Sequence, residues 1–478
     1  MEQLLFTGRD YERKLLTELV TKPGAELVSI TGRRRVGKTF LVKQTLAEHG
    51  IDFMTSGLQD GSMREQMIAF EFSLASAADR EPSVAGFASW QVAFIRLIGH
   101  LKTIRKSGKL IVFLDELPWL ATPRSGFLRA FSFFWNNWAV DQNILVVICG
   151  SAASWMIQKV VNDRGGLHNR ITKRIQLHPF TLQETQQYLE ARGVNYPPIA
   201  ILEIYLALGG VPYYLREIQV GKTPAENINA CCFATAGNLR NEFSNLYPAL
   251  FARSTRHVAI VRALAKHPYG LGRAELTKLT GLSDGGSLTK ALQELEFSGF
   301  VLHQRPFGRK KRGGIYRLVD AYSLFYLRFI EPNQGALPDW TDLRRRQAYS
   351  VWAGYAFENV GIRHLPQLKA ALGIAAVSTV ASTFYASGSN TAGGAQIDLV
   401  LQRADHAIHL CDFKHYNAPL RLTKQQLSRL AEQKAVFQTT TGTNDVLFTT
   451  LITTYGLHAP ERAAGVIDQV VTLEDLFG

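Results

Sequence analysis

The sequence has few cysteines and no long apolar run. None of its four cysteines forms a CxxC pair, which argues against a disulfide framework and against a structural zinc site. No stretch of about 18 uncharged apolar residues occurs, so no transmembrane helix is expected. The opening residues mix acids with bases instead of forming an apolar signal segment, and internal repeats are absent. These absences predict a cytoplasmic protein and exclude the secreted disulfide-rich class.

The composition is that of a globular chain. Hydrophobic residues make up 46% of it, including 27 Phe and 16 Tyr, while charged residues make up 19%. This much apolar surface supports packed cores instead of a disordered chain. Because single cores stop growing at about 250 residues, a chain of 478 residues should contain two to four domains.

Positive charge is in excess and is concentrated in one segment. The formal charge is +13, and residues 253–328 hold 14 Lys and Arg against five Asp and Glu, which is +9 of the total. A basic segment of this kind favours a polyanion such as DNA as a partner. The alternative is a basic face that meets only solvent.

A glycine-rich loop lies between a predicted strand, residues 27–31, and a predicted helix that starts at the end of the loop. Backbone N–H groups of such a loop wrap phosphates, and the helix dipole points at the same anion. Lys38 would neutralise the outer phosphates, and Thr39 would ligate Mg²⁺. The residues predicted to bind ATP here are Gly32, Arg33, Arg34, Arg35, Val36, Gly37, Lys38, Thr39 and Phe40.

An apolar run over residues 109–114 ends in two acids, Asp115 and Glu116. Such runs are typical of buried parallel strands, whose carboxyl ends face the crevice where α/β sheets bind ligands. Asp115 is therefore predicted to hold Mg²⁺, and Glu116 to polarise the water that attacks the phosphate. The alternative is that Asp115 caps a following helix.

Two further residues are candidates for phosphate contacts. Ser151 ends a third predicted strand at the same edge of the sheet and would sense the γ-phosphate. Arg170 precedes another strand-like stretch and would reach a phosphate in its own chain or in a neighbouring one. An ordinary surface arginine is the alternative for Arg170.

The segments FTGRDYE (6–12), GRRRVGKT (32–39), FLDELPWL (113–120), CGSAAS (149–154) and GGVP (209–212) together resemble prokaryotic, archaeal-type ATPases of the AAA+ and STAND group. The resemblance covers most of residues 1–240. It implies that the GR..E element contacts the base region of the nucleotide. It also implies a helical lid whose Gly-x-Pro motif places Pro212 beside the nucleotide. Without this resemblance, residues 209–212 would be interpreted as a turn between helices.

Residues 256–320 contain three amphipathic helical patterns followed by a hairpin pattern, and they resemble a winged helix-turn-helix domain. In that fold the third helix, about residues 286–298, would enter the major groove of DNA, and the basic wing of residues 309–312 would meet phosphates. Glu294 and Glu296 lie on the predicted reading helix. A domain that contacts protein instead of DNA is the alternative.

Four polar residues in the C-terminal part suggest a second reaction centre. Glu358 stands alone in an apolar helical pattern, while Asp398 lies on one predicted strand and Asp412 and Lys414 share a face of the next. Carboxylates and a lysine that converge in this way would hold Mg²⁺ and a polarised water beside a phosphodiester. The alternative is four surface residues on an ordinary α/β domain.

The same residues resemble the PD-(D/E)xK nucleases. The resemblance implies that Asp398 and Asp412 bind metal, that Glu358 assists them, and that Lys414 orients or activates the nucleophile. It also implies a hairpin followed by a helix, which matches the helical pattern after Lys414. Domains of this kind can also be degenerate and kept only for their fold.

The predicted fold class is α/β: a P-loop NTPase core (1–180), a helical lid (181–250), a winged helix-turn-helix (251–330) and a restriction-endonuclease-like α/β domain (345–478). The first hypothesis is an ATP- and Mg²⁺-dependent enzyme that couples nucleotide state to DNA binding and metal-dependent cleavage, with a role in defence against foreign DNA. The second is a nucleotide-regulated DNA-binding or scaffolding switch that cuts nothing. The third is a motor that remodels DNA or protein as a homo-oligomeric ring.

Overall fold

The computed structural model describes residues 6–151, 153–156, 167, 169–251, 254–308, 313–333, 339–386, 394–458 and 465–478. The chain divides into two compact units. The first comprises Met1–Pro179 and Phe297–Gly299, and the second comprises Phe180–Glu296 and Phe300–Gly478. In the part of the chain that is described, no helix combines the length and apolar character needed to cross a membrane.

The first unit is built on a parallel five-stranded sheet with the order β2-β3-β4-β1-β5. The strands are β1 (Glu26–Thr31), β2 (Phe53–Ser56), β3 (Leu110–Asp115), β4 (Ile144–Gly150) and β5 (Lys173–Gln176). The helices are α1 (Asp10–Thr21), α2 (Lys38–Thr45), α3 (Met63–Ala77), α4 (Trp90–Thr103), α5 (Leu117–Leu120), α6 (Phe127–Asn137) and α7 (Ala153–Met156).

Alternating apolar residues of the strands supply a core on each face of this sheet. Val146 and Ile148 of β4 belong to the core formed with α3, α4 and α6, where aromatic rings such as Phe94 pack. Val147 and Cys149 belong to the core formed with α1 and α2. Because both faces are covered, the strands are continuous apolar runs, which confirms the predicted α/β fold of this part of the chain.

The second unit begins with five helices: α8 (Leu182–Glu190), α9 (Pro198–Leu208), α10 (Pro212–Leu215), α11 (Pro224–Ile228) and α12 (Glu242–Leu246). Thr181 and Thr223 each begin a helix with a capping box, in which the threonine hydroxyl accepts a backbone N–H and a glutamate three residues later accepts the threonine's own N–H. Gly210 adopts a φ of 66°, and a Cβ there would lie 2.3 Å from the Phe180 carbonyl oxygen. This close approach requires glycine.

Three helices and a small antiparallel sheet follow. They are α13 (Ser254–Ala265), β6 (Leu271–Gly272), α14 (Arg273–Thr280), α15 (Gly286–Phe297), β7 (Val301–Gln304) and β8 (Ile315–Leu318). The strand order is β6-β8-β7. Helices α16 (Ala321–Phe325) and α17 (Trp340–Arg344) come next.

The C-terminal part contains a second five-stranded sheet with the order β13-β12-β11-β10-β9. Its elements are α18 (Gln347–Arg363), α19 (Leu365–Ala371), β9 (Thr379–Ala386), β10 (Ala395–Arg403), β11 (Ala407–Lys414), α20 (Lys424–Thr441), β12 (Val446–Thr453) and β13 (Gln469–Thr472). Strands β9, β10 and β11 are antiparallel, whereas β11, β12 and β13 are parallel.

One apolar core runs through the whole second unit, from Leu182 in α8 through Leu292 in α15 to Phe413 in β11. The boundary predicted at residue 180 coincides with the division between the units. The boundaries predicted after residues 250 and 330 fall inside the second unit instead. The predicted lid, winged helix and nuclease-like domain therefore share buried surface and are packed as one body.

Candidate nucleotide site and acid cluster

The nucleotide loop, residues 32–37, connects β1 to α2. Gly32 and Gly37 have φ angles of 149° and 92°, and Arg35 also has a positive φ, of 75°. A Cβ on Gly32 would lie only 2.3 Å from the carbonyl oxygen of Leu177, so this position accepts no side chain. The loop conformation is thus imposed by the backbone and by the neighbouring strand.

Lys38, the first residue of α2, holds this loop. Its Nζ donates to the carbonyl oxygens of Gly32 and Arg33, each at 3.1 Å, and to Ser151 Oγ at 2.8 Å. Burial lowers the pKa of Lys38, although the nearby Glu116 carboxylate opposes this shift. A charge that is buried and aimed at carbonyl oxygens is poised to bind an anion that enters the loop.

Thr39 and Asp115 form the second contact of the site. Thr39 Oγ1 donates to Asp115 Oδ2 at 2.6 Å, which joins the start of α2 to the end of β3. Burial is the main cause that raises the pKa of Asp115. The pair presents a hydroxyl and a carboxylate side by side, and both are ligands that Mg²⁺ prefers.

Glu116 and Ser151 complete the chain of contacts. Ser151 N donates to Glu116 Oε2 at 3.0 Å, and Ser151 Oγ donates to Glu116 Oε1 at 2.5 Å. Since Ser151 Oγ also accepts from Lys38, the serine connects the cation to the acid. Glu116 has a φ of 44°, a strained conformation that turns its carboxylate toward β4. The structure therefore brings together Lys38, Thr39, Asp115, Glu116 and Ser151, as the sequence predicted.

The other loop side chains point in different directions. Arg33 and Val36 are buried. Arg34 Nη1 lies 3.5 Å from Gln59 Oε1, with its guanidinium 6.0 Å from the ring of Trp119. Phe40 packs edge-to-face on Phe6 at 5.4 Å. These contacts shape the loop and the start of α2.

Arg9 is a structural support of the loop that the sequence alone did not identify. It is buried, and its Nη2 donates to the His178 carbonyl oxygen at 2.6 Å and to the Val36 carbonyl oxygen at 3.4 Å. Arg9 thus ties the loop to the segment after β5. It belongs to the GR..E element, which was the available signal, but the predicted role of that element was a contact with the base.

Arg170 does not lie at the phosphate edge of the sheet. Its neighbour Thr172 donates its backbone N–H to Leu27, near the start of β1, whereas the nucleotide loop follows the other end of that strand. The distance along the sheet from Thr172 to Gln176 is about 13 Å at about 3.3 Å per residue. This position does not support a phosphate contact within the same chain, and a contact with the phosphate of a neighbouring chain stays a prediction. Pro212 begins α10 in the second unit, and its place beside the nucleotide stays a prediction.

The acids of helix α15 border its exposed face, where Lys290 Nζ lies 3.9 Å from Glu294 Oε1. Glu294 Oε2 lies 2.8 Å from His257 Nε2 and accepts its hydrogen bond in the tautomer that carries the proton on Nε2. The exposed residues of the first three turns are Gly286, Ser287, Lys290 and Gln293. The predicted wing, Arg309, Lys310, Lys311 and Arg312, lies outside the described residues.

The acid cluster consists of Glu358, Asp398 and Asp412 together with Lys414. The register of the β10–β11 hairpin pairs Leu399 with Cys411, so Asp398 lies opposite Asp412. Lys414 Nζ is 2.7 Å from Asp412 Oδ2, an ion pair without the angles of a hydrogen bond. The hairpin thus brings Asp398, Asp412 and Lys414 together as predicted.

Glu358 is held by a residue that the sequence did not suggest. Arg317 Nη2, from β8, donates to Glu358 Oε2 at 2.7 Å, and both side chains are buried. A Cβ on Gly361 would lie 2.0 Å from the ring of Phe413, so glycine allows α18 to pack closely on β11. Arg317 and Glu358 are far apart in the chain, and no sequence pattern links them.

Burial, and then the charges of neighbouring acids, raise the pKa values of Asp398 and Glu358. Burial, followed by the charges of Glu358 and Asp412, raises the pKa of Asp398 to about 8. Burial also raises the pKa of Glu358, against the effect of Arg317. Among the described residues, no three acid, histidine or cysteine side chains are grouped so as to hold a metal ion. Two of the acids, Glu358 and Asp412, are paired with Arg317 and Lys414 instead.

Parts of the chain are similar to known proteins. Residues 6–218 match a family model described as an ATPase domain predominantly from Archaea. An uncharacterized protein of Methanocaldococcus jannaschii is 25% identical over 374 residues, which are 76% of this chain and 78% of that protein. A second uncharacterized protein of the same organism is 26% identical over 95 residues, or 20% of this chain and 88% of that protein.

A Walker-type ATPase of Pyrococcus abyssi has a similar structure, with a TM-score of 0.50 and 18% identity, over 68% of this chain and 96% of the other. This likeness concerns the fold. Together with the family match and the contacts of Lys38, Thr39 and Asp115, it leads to one conclusion. Residues 6–218 are an archaeal-type P-loop ATPase domain.

Proposed function

We propose that this protein hydrolyses ATP with Mg²⁺ and couples the nucleotide state to DNA binding and to metal-dependent cleavage of nucleic acid. The observation that carries the first part is the contact set of Lys38, which joins the nucleotide loop to Ser151 at the end of β4. ATP phosphates would lie against the loop, where Lys38 would exchange its carbonyl and serine partners for phosphate oxygens.

The Thr39–Asp115 pair fits a magnesium ion, because its hydroxyl and carboxylate oxygens already lie 2.6 Å apart and belong to two elements that the sheet fixes. Thr39 and Asp115 would hold the ion. When bound, Mg²⁺ would supply positive charge to the β- and γ-phosphates. Glu116 would orient and polarise the attacking water, since each of its oxygens accepts only one hydrogen bond from Ser151 and can accept another.

DNA binding is proposed for the segment of residues 254–318. Three features support it: the order of three helices and a three-stranded sheet, the excess of positive charge, and the exposed face of α15. That face carries Lys290 and Gln293, which suit phosphate and base contacts. Lys290 Nζ lies 3.9 Å from Glu294 Oε1, and a DNA phosphate would replace this carboxylate as its partner.

Nucleic-acid cleavage is proposed for the acid cluster. Asp398 and Asp412 would hold a divalent cation, with Glu358 assisting, and Lys414 would orient the water. The donor chemistry fits such an ion, since crowding of the carboxylates helps to raise the pKa of Asp398 and a divalent cation would relieve that repulsion. When bound, the cation would stabilise charge that develops on the phosphodiester. The order β9-β10-β11-α20-β12 also agrees with the nuclease resemblance.

A second candidate function is a nucleotide-regulated DNA-binding switch that cuts nothing. The observation in its favour is that Arg317 and Lys414 pair with two of the acids, while no metal-binding group of three is present among the described residues. In this case the C-terminal sheet would serve as a platform for a partner, and the acids would stabilise the fold.

The two candidates are separated by incubating the full chain with supercoiled plasmid DNA, ATP and Mg²⁺ or Mn²⁺. The first predicts nicking that Asp412→Asn and Lys414→Met each abolish. If ATP gates cleavage, Lys38→Ala abolishes it as well. Lys424→Met, at the exposed start of α20, is the matched control for Lys414→Met and should nick like the wild type. If the plasmid stays intact under every condition while ATP hydrolysis is retained, the result favours the non-cleaving switch.

A further inference from the structure

A cavity of about 430 Å³ lies beside α18 in the second unit. Its apolar walls come from α13, β8, the helical segment after α16, and α18, and they include Leu264, Leu318, Leu327 and Trp352. Its volume lies in the range of small-ligand sites, about 300 to 1,000 Å³. The cavity is therefore large enough for a ligand with a flat apolar part.

Positive charge surrounds this cavity. Arg262, Lys266 and Arg328 line it, against a single acid, Glu331. The Glu331 carboxylate accepts hydrogen bonds from Arg262 Nη1, at 2.7 Å, and from Arg262 Nη2, at 2.5 Å, so the net charge of this pair is zero. Lys266 and Arg328 are exposed and have no side-chain ion pair or hydrogen bond within the described residues. Two uncompensated cations at a cavity favour an anionic ligand.

Aromatic side chains provide surfaces on which a base can stack. Trp352 and Tyr355 both line the cavity from α18. Tyr269 packs edge-to-face on Tyr355 at 5.3 Å, and the two hydroxyl groups are 3.5 Å apart. Stacking of a base on an aromatic ring contributes roughly 1 to 3 kcal/mol and tolerates any base.

The cavity is adjacent to the helix residue of the acid cluster. Tyr355 and Glu358 are three residues apart on α18, so their side chains are neighbours at about 5 to 6 Å. The Arg317 guanidinium contacts both, since Nη2 lies 3.4 Å from the Tyr355 carbonyl oxygen and 2.7 Å from Glu358 Oε2. A ligand in the cavity is thus within one helical turn of Glu358.

We propose that the cavity binds one unstacked nucleotide of a nucleic-acid strand, with its base against Trp352 and Tyr355 and its phosphate at Lys266 and Arg328. The bound nucleotide would position the neighbouring phosphodiester beside Glu358. This placement rests on the proposed nuclease function. The binding itself does not, because it can be measured without cleavage.

The test uses the full chain carrying Lys38→Ala, which weakens nucleotide binding at the loop, in EDTA to prevent cleavage. A single-stranded oligonucleotide with 5-iodouracil is crosslinked by light, and the linked peptides are mapped by mass spectrometry. The expected result is a crosslink on the α18 peptide that contains Trp352 and Tyr355. Lys266→Glu and Arg328→Glu should each reduce it about tenfold. Lys14→Glu, an exposed charge reversal in α1, should not.

Crosslinks that map only to other peptides, with oligonucleotide affinity unchanged by Lys266→Glu and Arg328→Glu, would overturn the proposal. A competition result would also overturn it: if added free thymidine monophosphate abolishes the α18 crosslink, the cavity binds a free nucleotide instead of a strand. An α18 crosslink that responds to both charge reversals supports the proposal even if the plasmid assay shows no cleavage. In that case only the nuclease function fails.

Discussion

The acids of the nucleotide site and those of the acid cluster have different kinds of partner. In the nucleotide site, Asp115 accepts from the neutral Thr39 hydroxyl, and Glu116 accepts from Ser151. In the acid cluster, Glu358 and Asp412 are instead paired with cationic side chains, Arg317 and Lys414. Hydroxyl partners leave the carboxylate charge available to a metal ion, whereas cationic partners neutralise it.

This difference predicts that the nucleotide site can bind a metal ion more easily than the acid cluster can. In the proposed mechanism, the nucleotide site would need only small rearrangements to accept ATP and Mg²⁺, because its residues meet at one edge of one sheet. The acid cluster must first release an acid from its cation. Since breaking a buried ion pair costs several kcal/mol, this release would require a compensating interaction, such as a bound strand and a divalent ion.

The largest expected effect is on ATP hydrolysis. Lys38→Ala should reduce the rate of phosphate release at least about 100-fold, because it removes the cation that faces the developing charge. Lys43→Ala, which removes an exposed lysine from the same helix, should leave the rate within about twofold. Equal rates for both variants would mean that the loop is not the site of hydrolysis.

Stability measurements sharpen the contrast between buried and exposed ion pairs. Arg317→Met should lower the free energy of unfolding by about 3 to 5 kcal/mol, since it leaves Glu358 buried without its cation. Adding Glu358→Leu should restore much of that loss. Arg262→Met, at the more exposed pair with Glu331, should cost about 1 kcal/mol or less. Urea unfolding measures all three, and equal costs would contradict the buried-pair account.

Acid should weaken the second unit through His364. Its Nε2 accepts the Leu182 N–H at 2.9 Å, and its Nδ1 lies 2.8 Å from the Val360 carbonyl oxygen, so the ring is neutral. Burial lowers the pKa of His364 to about 4. Because the unfolded pKa is about 6.5, the neutral ring contributes its full stability above that pH. The contribution, about 3 kcal/mol, should be lost as pH falls from 6.5 to 4.

Urea unfolding at several pH values tests this loss. His364→Gln should lower the stability at pH 7 and make its decline toward pH 4 less steep. His406→Gln is the control, because His406 is 91% exposed, and it should keep the wild-type slope. An unchanged slope in His364→Gln would assign the acid sensitivity to other groups, such as His409 and His415, whose pKa values burial also lowers to about 4.

The smallest expected effect concerns the serine of the nucleotide site. Ser151→Ala should slow ATP hydrolysis about tenfold, equivalent to about 1.4 kcal/mol in activation free energy. Lys38 would keep its two carbonyl partners, while Glu116 would lose its hydroxyl partner. Ser76→Ala, exposed on α3, is the control for phosphate release. A loss as large as that of Lys38→Ala would show that Ser151 acts directly on the phosphate.

The sequence predicted the nucleotide site well because strand ends, a glycine loop and a helix start bring distant residues to one edge of a sheet. Lys38, Thr39, Asp115, Glu116 and Ser151 meet there as expected. Arg170 precedes its strand, and in a parallel sheet the start of a strand lies at the edge opposite to the carboxyl ends, so the sequence offered less support for a phosphate contact there. The chain reaches that strand from the edge opposite to the nucleotide loop.

The acid cluster could be predicted only in part. Alternation along a strand and hairpin pairing were sufficient to bring Asp398, Asp412 and Lys414 together. The partner of Glu358 was not predictable, because Arg317 comes from another sheet and no periodicity joins the two. The continuous core of the second unit could not be predicted either, because sequence patterns show which residues are buried but not which elements pack against each other.

The most direct test of the account is the rate of phosphate release from ATP by the full chain, measured with Mg²⁺ in the presence and absence of saturating duplex DNA. We predict Mg²⁺-dependent hydrolysis that DNA changes severalfold. Lys290→Glu, on the exposed face of α15, should remove the DNA effect and leave the basal rate intact. Hydrolysis at the same rate with and without DNA would contradict the proposed coupling of ATP hydrolysis to DNA binding.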